Sequence, residues 1–177
     1  MKIVAFAGSN SSKSINHKFI EYIARQFSIH DVEVITLANF NIPMYGIDIE
    51  NSGFPNGVIE LHSKIRNTDG IVVSVAEHNG NVTAFFKSIL DWISRYDREF
   101  LKDKKWLLFS TAPGKRGGAS SLAIAKKTLD YFKGELIGTY SLSNFKSVMV
   151  DTQIIDEDVK TEIDDLIQSF SKTLTNT

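Results

Sequence analysis

The stretch from Lys2 to Asn16 constrains this chain more than any other. An apolar run, Ile3-Val4-Ala5-Phe6-Ala7, feeds directly into Gly8-Ser9-Asn10-Ser11-Ser12-Lys13-Ser14-Ile15-Asn16. The run reads as a strand. The residues that follow carry apolar side chains at positions 19, 20, 23, 24 and 27, the spacing of one helix face. A hydroxyl-rich loop therefore joins a strand end to a helix N-terminus. The first amides of a helix lack partners and carry partial positive charge, which favours an anion such as phosphate. Ser9, Ser11, Ser12, Ser14 and Asn16 add side-chain donors, and Gly8 frees the backbone as it leaves the strand. One polar residue must cap the helix. Five exceed what a cap needs.

Two familiar nucleotide loops are excluded. A Walker A loop requires G-x-x-x-x-G-K-[ST], whereas here Lys13-Ser14 follows Gly8 one residue too early and without a second glycine. The dinucleotide fingerprint G-x-G-x-x-G is also missing. The loop suits a terminal phosphomonoester better than a triphosphate or pyrophosphate.

Along the chain, Asp31 to Leu37 alternates polar and apolar residues as a half-exposed edge strand does. A long connection from Ala38 to Gly57, rich in breakers, reads as a lid or a disordered excursion. Val58, Leu61 and Ile65 give a second helix. Gly70 to Ala76 is a continuous apolar run, as expected of a strand buried on both faces of a parallel sheet. It leads into Glu77-His78-Asn79-Gly80-Asn81 and a helix over about 83–95. A fourth strand, Trp106 to Ala112, ends in Pro113-Gly114-Lys115-Arg116-Gly117-Gly118, and a helix carrying Leu122, Ala125, Leu129 and Phe132 follows. A fifth strand covers Gly134 to Ser141, and a last helix runs from Asp156 to Leu174.

Repeated β-α units imply an α/β sandwich with a parallel sheet and right-handed crossovers. The expected fold is a flavodoxin-like three-layer sandwich: five strands in the order 2-1-3-4-5, helices on both faces, and one domain over 1–177. At 177 residues the chain suits a single core. A net charge of −1 and a pI near 6.4 give no reason to expect nucleic acid as partner. No run approaches a membrane span and no export signal is apparent, so a cytoplasmic protein without a membrane partner is expected. With no cysteine, thiol redox chemistry is excluded, and any electrons must move on a bound cofactor. No histidine pair has metal spacing, so no metal site is expected.

In such sheets ligands bind beyond the carboxyl ends of the strands where strand order reverses, here between the first and third. The serine-rich loop, Glu77 to Gly80, and Gly114 to Gly118 should therefore converge. The glycine-rich third loop can present its amides as a nest for an electron-rich carbonyl edge. A phosphate pocket beside two backbone cradles for a flat heterocycle matches flavin mononucleotide.

Gly8-Ser9 to Ser14-x-Asn16, then Ala76-Glu77-His78-Asn79-Gly80 running into Phe86-Lys87-Ser88-Ile89-Leu90-Asp91-Trp92, resembles the NADPH-dependent FMN reductase family of flavodoxin-like quinone, azo and chromate reductases. Pro113-Gly114 to Gly117-Gly118 resembles that family's third flavin loop. The resemblance implies that Ser9, Ser11, Ser14 and Asn16 hold the phosphate, with Ile15 beside them. It implies that Ala76, Glu77, His78, Asn79 and Gly80 line the ring and ribityl chain, and that Ser110, Gly114, Gly117 and Gly118 lie near the other edge. Ser11 stands where the family often has arginine, His78 where it usually has tyrosine, and Ala76 where it usually has proline. The family activity implied is ping-pong hydride transfer from NADPH or NADH through FMN to a small acceptor: a quinone, free flavin, azo compound or metal oxyanion. It needs no catalytic acid or base. Glu77 is expected to position rather than to act as a base. Two other classes remain open at this point, a flavodoxin-type electron carrier and a flavin-free binding module. The family is typically dimeric or tetrameric, and Trp92 with Phe85 and Phe86 on one helix suits either core or a subunit interface.

Overall fold

In the computed structural model, which describes residues 1–175, strand β1 (Lys2–Gly8) lies between β2 (Asp31–Ile35) and β3 (Gly70–Val75). Beyond β3 come β4 (Lys105–Thr111) and β5 (Glu135–Leu142), giving one parallel sheet in the order β2-β1-β3-β4-β5. The expected topology is therefore observed. Strand order reverses between β1 and β3, where Val4 pairs with Ile71 and Phe6 with Val73.

The period of two within each strand sorts the side chains between two cores. Val4 and Phe6 of β1 enter one cluster with Ile71, Val73 and Leu108, beneath helices α2 (Asn56–Arg66), α3 (Ala84–Tyr96) and α4 (Ala119–Leu129). Ile3, Ala5 and Ala7 enter the other with Val72, Leu107 and Phe109, beneath α1 (Ile15–Gln26) and α5 (Glu157–Thr175). Strand β3 is buried at every position, Ser74 included, as its predominantly apolar run predicts for a central parallel strand.

Three features depart from the sequence reading. The second strand stops at Ile35, and Leu37–Phe40 turns into a short 3-10 helix that buries Leu37 and Phe40. Gly57 in α2 packs so close that a Cβ there would lie 1.8 Å from Phe40 O. The connection between that 3-10 helix and α2 is an ordered strap with a short helix at Ile47–Glu50, not a disordered excursion. Trp92 Nε1 donates to Pro43 O at 2.9 Å, and the rings of Tyr45 and Phe54 meet Trp92 edge-on at 5.1 and 6.1 Å. Trp92 and Phe86 are thus core residues of their own chain and supply no subunit interface. Finally, a two-residue antiparallel pair, Met149–Val150 with Gln153–Ile154, lies between β5 and α5 where no element was read.

Candidate functional site

The serine-rich loop is shaped by its own hydroxyls. Ser9 Oγ accepts the Ser11 N–H at 3.2 Å, and Ser11 Oγ accepts the Lys13 N–H at 3.2 Å. Ser14 caps α1, its Oγ accepting the His17 N–H at 3.2 Å. Ser9 and Ser11 act only as acceptors in these bonds, so their own O–H groups remain available to donate. The backbone amides of Ile15 and Asn16, in the first turn of α1, have no hydrogen-bond partner among the described residues. Two hydroxyls and two amides at a twelve-residue helix N-terminus suit a phosphomonoester.

Asn16 lies behind this group. Its Oδ1 accepts from Ser74 Oγ at 2.7 Å and from the Thr111 N–H at 3.0 Å, while its Nδ2 donates to Thr111 O at 3.1 Å. The buried side chain is held by β3 and β4, its Oδ1 taking two donors and its Nδ2 bonded to Thr111 O, while the Asn16 backbone amide stays open to an anion. Gly8 has a packing reason as well, because a Cβ there would lie 2.8 Å from the Phe86 ring.

The second loop is a tight hairpin. Glu77 pairs with Val82 and His78 with Asn81, around Asn79 and Gly80 at φ 53° and 75°. Two consecutive positive φ values at Asn-Gly are the type I′ signature, a signal readable in the sequence. Glu77 Oε2 accepts the Ser121 N–H at 3.0 Å, capping the first turn of α4. Glu77 thus ties the hairpin to α4. Thr83 caps α3 through the Phe86 N–H at 3.0 Å and donates to Gly8 O at 2.9 Å. His78 and Asn79 are exposed, and Ala76 is half-buried beneath them.

In the third loop each carbonyl from Gly114 to Gly118 is engaged within the protein. Gly114 O accepts from the Gly117 and Asn144 amides, Lys115 O from Ser143 Oγ, and Arg116 O from the Ala119 N–H and Ser141 Oγ. Gly117 O accepts from buried Ser110 Oγ at 2.8 Å, and Gly118 O from Ser121 Oγ at 2.8 Å. The amides of Gly114, Lys115, Arg116 and Gly118 have no partner among the described residues. The loop is a surface of donors, suited to the electron-rich carbonyl edge of a flavin ring. Gly117 and Gly118 sit at φ 58° and 82°, and a Cβ on Gly117 would lie 2.5 Å from Ser141 Oγ, so this backbone path requires glycine.

The three loops meet. Asn16 joins the first to the end of β4, Thr83 joins the second to the end of β1, and Glu77 joins the second to the helix behind the third. Of the candidate residues, Ser11, His78, Asn79 and Gly114 are exposed and Ser9, Ile15, Ala76, Glu77 and Gly80 half-buried, while Ser14, Asn16, Ser110, Gly117 and Gly118 are buried. Ser74, Thr83, Thr111 and Ser121 belong to the same network and escaped the sequence reading. Of these, Thr83 had a signal, a threonine immediately ahead of an apolar helical run. Among the described residues no group of three or more His, Asp or Glu could hold a metal, and no helix is long and apolar enough to cross a membrane.

Comparison with known proteins agrees with this fold. The chain is 27% identical over 176 residues to the NADH:(hydroxy)cinnamate reductase subunit CrdA of Vibrio ruber, covering 96% of this chain and 85% of that protein. It is 31% identical over 121 residues to a quinone reductase of Escherichia coli K12, covering 67% and 64% respectively. The solved structure of FerB, a flavoenzyme NAD(P)H:(acceptor) oxidoreductase from Paracoccus denitrificans, shares the fold with a TM-score of 0.78 at 19% identity, covering 99% of this chain and 97% of that one. A family profile described as NADPH-dependent FMN reductase matches residues 1–147. With its sheet order, its donor-lined loops and this match in agreement, the chain belongs to the NADPH-dependent FMN reductase family, oxidoreductases with FMN as cofactor and NAD(P)H as co-substrate.

Proposed function

We propose that the three loops of this oxidoreductase form one FMN site and that the reaction delivers reducing equivalents from NADPH or NADH to a small oxidised acceptor. The Ser9 and Ser11 hydroxyls and the Ile15 and Asn16 amides bind the phosphate. The Asn79-Gly80 turn lies along the ring, and the Gly114, Lys115, Arg116 and Gly118 amides are the donors open to its carbonyl edge. The carbonyl census of that third loop carries the reading, since a loop that ties up its acceptors internally and leaves its donors open is built for an electron-rich edge.

When bound, FMN supplies two-electron chemistry: NAD(P)H gives up a hydride to become NAD(P)+, and the acceptor takes up two electrons with protons, the half-reactions alternating. The protein contributes orientation and electrostatics. Donors fixed before the reaction favour negative charge on the carbonyl edge without reorganising, and no side chain is required as acid or base. Ser11 takes the place of a charged phosphate ligand, and the exposed Lys13 two residues on is the cation available to the same loop. The working location is the cytoplasm. The assembly is a homodimer or homotetramer, with exposed Ile47 (54%) and Ile49 (41%) on the strap as apolar surface for a second copy.

The test is anaerobic reduction of the FMN-loaded protein, followed at the flavin band near ~450 nm. NADPH or NADH bleaches the band, and adding a quinone restores it. A protein that retains no FMN, or whose flavin ignores both nucleotides, contradicts the proposal.

A further inference from the structure

Next to the first two loops lies a cleft of about 260 Å³, bounded by Asn10 of the serine-rich loop, His78 of the hairpin, Ile42 and Met44 of the strap, and Phe85 and Ile89 of α3. It shares Asn10 and His78 with the first two loops of the proposed FMN site, and no residue of the glycine loop lines it. Its polar content is less than the residue names suggest. Thr83 Oγ1 is engaged by Gly8 O and the Phe86 N–H, and Ser88 Oγ by the Tyr45 N–H and Pro43 O. The Asn10 side chain and the His78 ring have no hydrogen-bond partner among the described residues, and no lysine or arginine lines the cleft.

Met44 is held here by its neighbours. Pro43 O is fixed by Trp92 Nε1 at 2.9 Å, and the Tyr45 N–H by Ser88 Oγ at 2.8 Å, so the backbone on either side of Met44 is pinned to α3. Its side chain is nevertheless 64% exposed. Burying a thioether side chain under an apolar ligand is favourable, and sulfur against an aromatic ring adds to it. Apolar walls, two unengaged polar heads and no cation fit a flat ring bearing carbonyl oxygens. They do not fit a compact inorganic oxyanion, whose desolvation here would go uncompensated.

We propose that Met44 is a specificity-determining residue of the acceptor cleft, selecting flat aromatic carbonyl acceptors over small inorganic ones; this rests on the FMN site assigned above. The test compares kcat/KM for 2-methyl-1,4-naphthoquinone and for ferricyanide, with NADPH saturating, in the FMN-loaded protein. Met44→Ala lowers the quinone-to-ferricyanide ratio about tenfold, mainly through KM for the quinone, and Met44→Leu recovers most of it. Ile155→Ala, at a similarly exposed apolar residue that follows the Met149–Ile154 hairpin and does not line the cleft, leaves the ratio as it was. A second readout does not depend on turnover. With 13C-methyl methionine labelling, the Met44 resonance shifts as the naphthoquinone is added, while that of buried Met149 stays in place.

Turnover with an unaltered ratio in Met44→Ala and a stationary Met44 resonance overturns the proposal and leaves the FMN reading intact. A Met44 resonance that follows the quinone in a protein without FMN-dependent turnover overturns the FMN reading and upholds the cleft. A resonance that follows protein concentration and ignores the quinone assigns Met44 to contact between copies, which also overturns the proposal.

Discussion

Asn16 and Thr111, 95 positions apart, pair as two peptide groups do: Asn16 Nδ2 donates to Thr111 O at 3.1 Å, and Asn16 Oδ1 accepts the Thr111 N–H at 3.0 Å. The side chain extends the β4 ladder by one rung from the first turn of α1, and Ser74 of β3 joins it at 2.7 Å. Asn16→Ala leaves three buried groups unpaired, which costs about 3 kcal/mol. Urea denaturation reads the loss as a lower midpoint at constant slope. A loss of less than about 1 kcal/mol contradicts the strut role, because each stranded group alone costs about that much.

Glu77 reaches Ser121 from a different loop, and that bond couples the hairpin to α4. Glu77→Ala removes a capping carboxylate, at a cost of about 1 kcal/mol in stability. The effect on FMN affinity is larger than this stability loss, because the second and third loops then lose their common tether. Fluorescence titration with FMN alongside thermal denaturation separates the two effects. Equal losses in both speak against the coupling.

The glycines of the third loop differ in what they tolerate. Gly117→Ala forces a left-handed residue against Ser141 Oγ and Leu142, and costs about 1–3 kcal/mol. Gly114→Ala meets nothing within 4 Å and carries no positive φ, so its stability stays within about 0.5 kcal/mol of the parent. Calorimetry of the two variants checks the contrast, and similar melting temperatures would count against the loop path described.

Away from the site, His30 holds both ring nitrogens buried with no hydrogen-bond partner among the described residues. Burial pushes its pKa below the ordinary 6.5; the N-terminal ammonium adds to the shift and Asp69 opposes it. The unfolded chain therefore takes up this proton more readily than the folded one, and stability falls as pH drops below about 6.5 towards the lowered folded value. His30→Phe removes that part of the acid sensitivity. Urea midpoints from pH 7.5 to 5 show a shallower decline in the variant, and identical slopes contradict the assignment.

The scaffold was legible because its signals are local. A run such as Ile71 to Val75, apolar but for Ser74, has few readings other than a central strand, and the loop chemistry sits directly at the strand ends. Two positions resisted for opposite reasons. Asn16 has the right residue type for a phosphate ligand, yet its side chain is claimed by Ser74 and Thr111, partners far off in sequence. Trp92 suits core and interface alike in the sequence, and the strap that covers it through Pro43 and Tyr45 decides for the core. The strap itself was illegible because its order comes from tertiary bonds to α3, not from its own breaker-rich composition. The Asn79-Gly80 hairpin, by contrast, carried its full signature in the sequence and was read only as a loop.

The most direct measurement is a crystal structure of the protein grown with FMN. The account predicts the phosphate within hydrogen-bond distance of the Ser9 and Ser11 hydroxyls and the Ile15 and Asn16 amides, with the ring's carbonyl edge on one or more of the open amides of Gly114, Lys115, Arg116 and Gly118. Density for FMN anywhere else, or a ring that leaves those amides facing water, contradicts it.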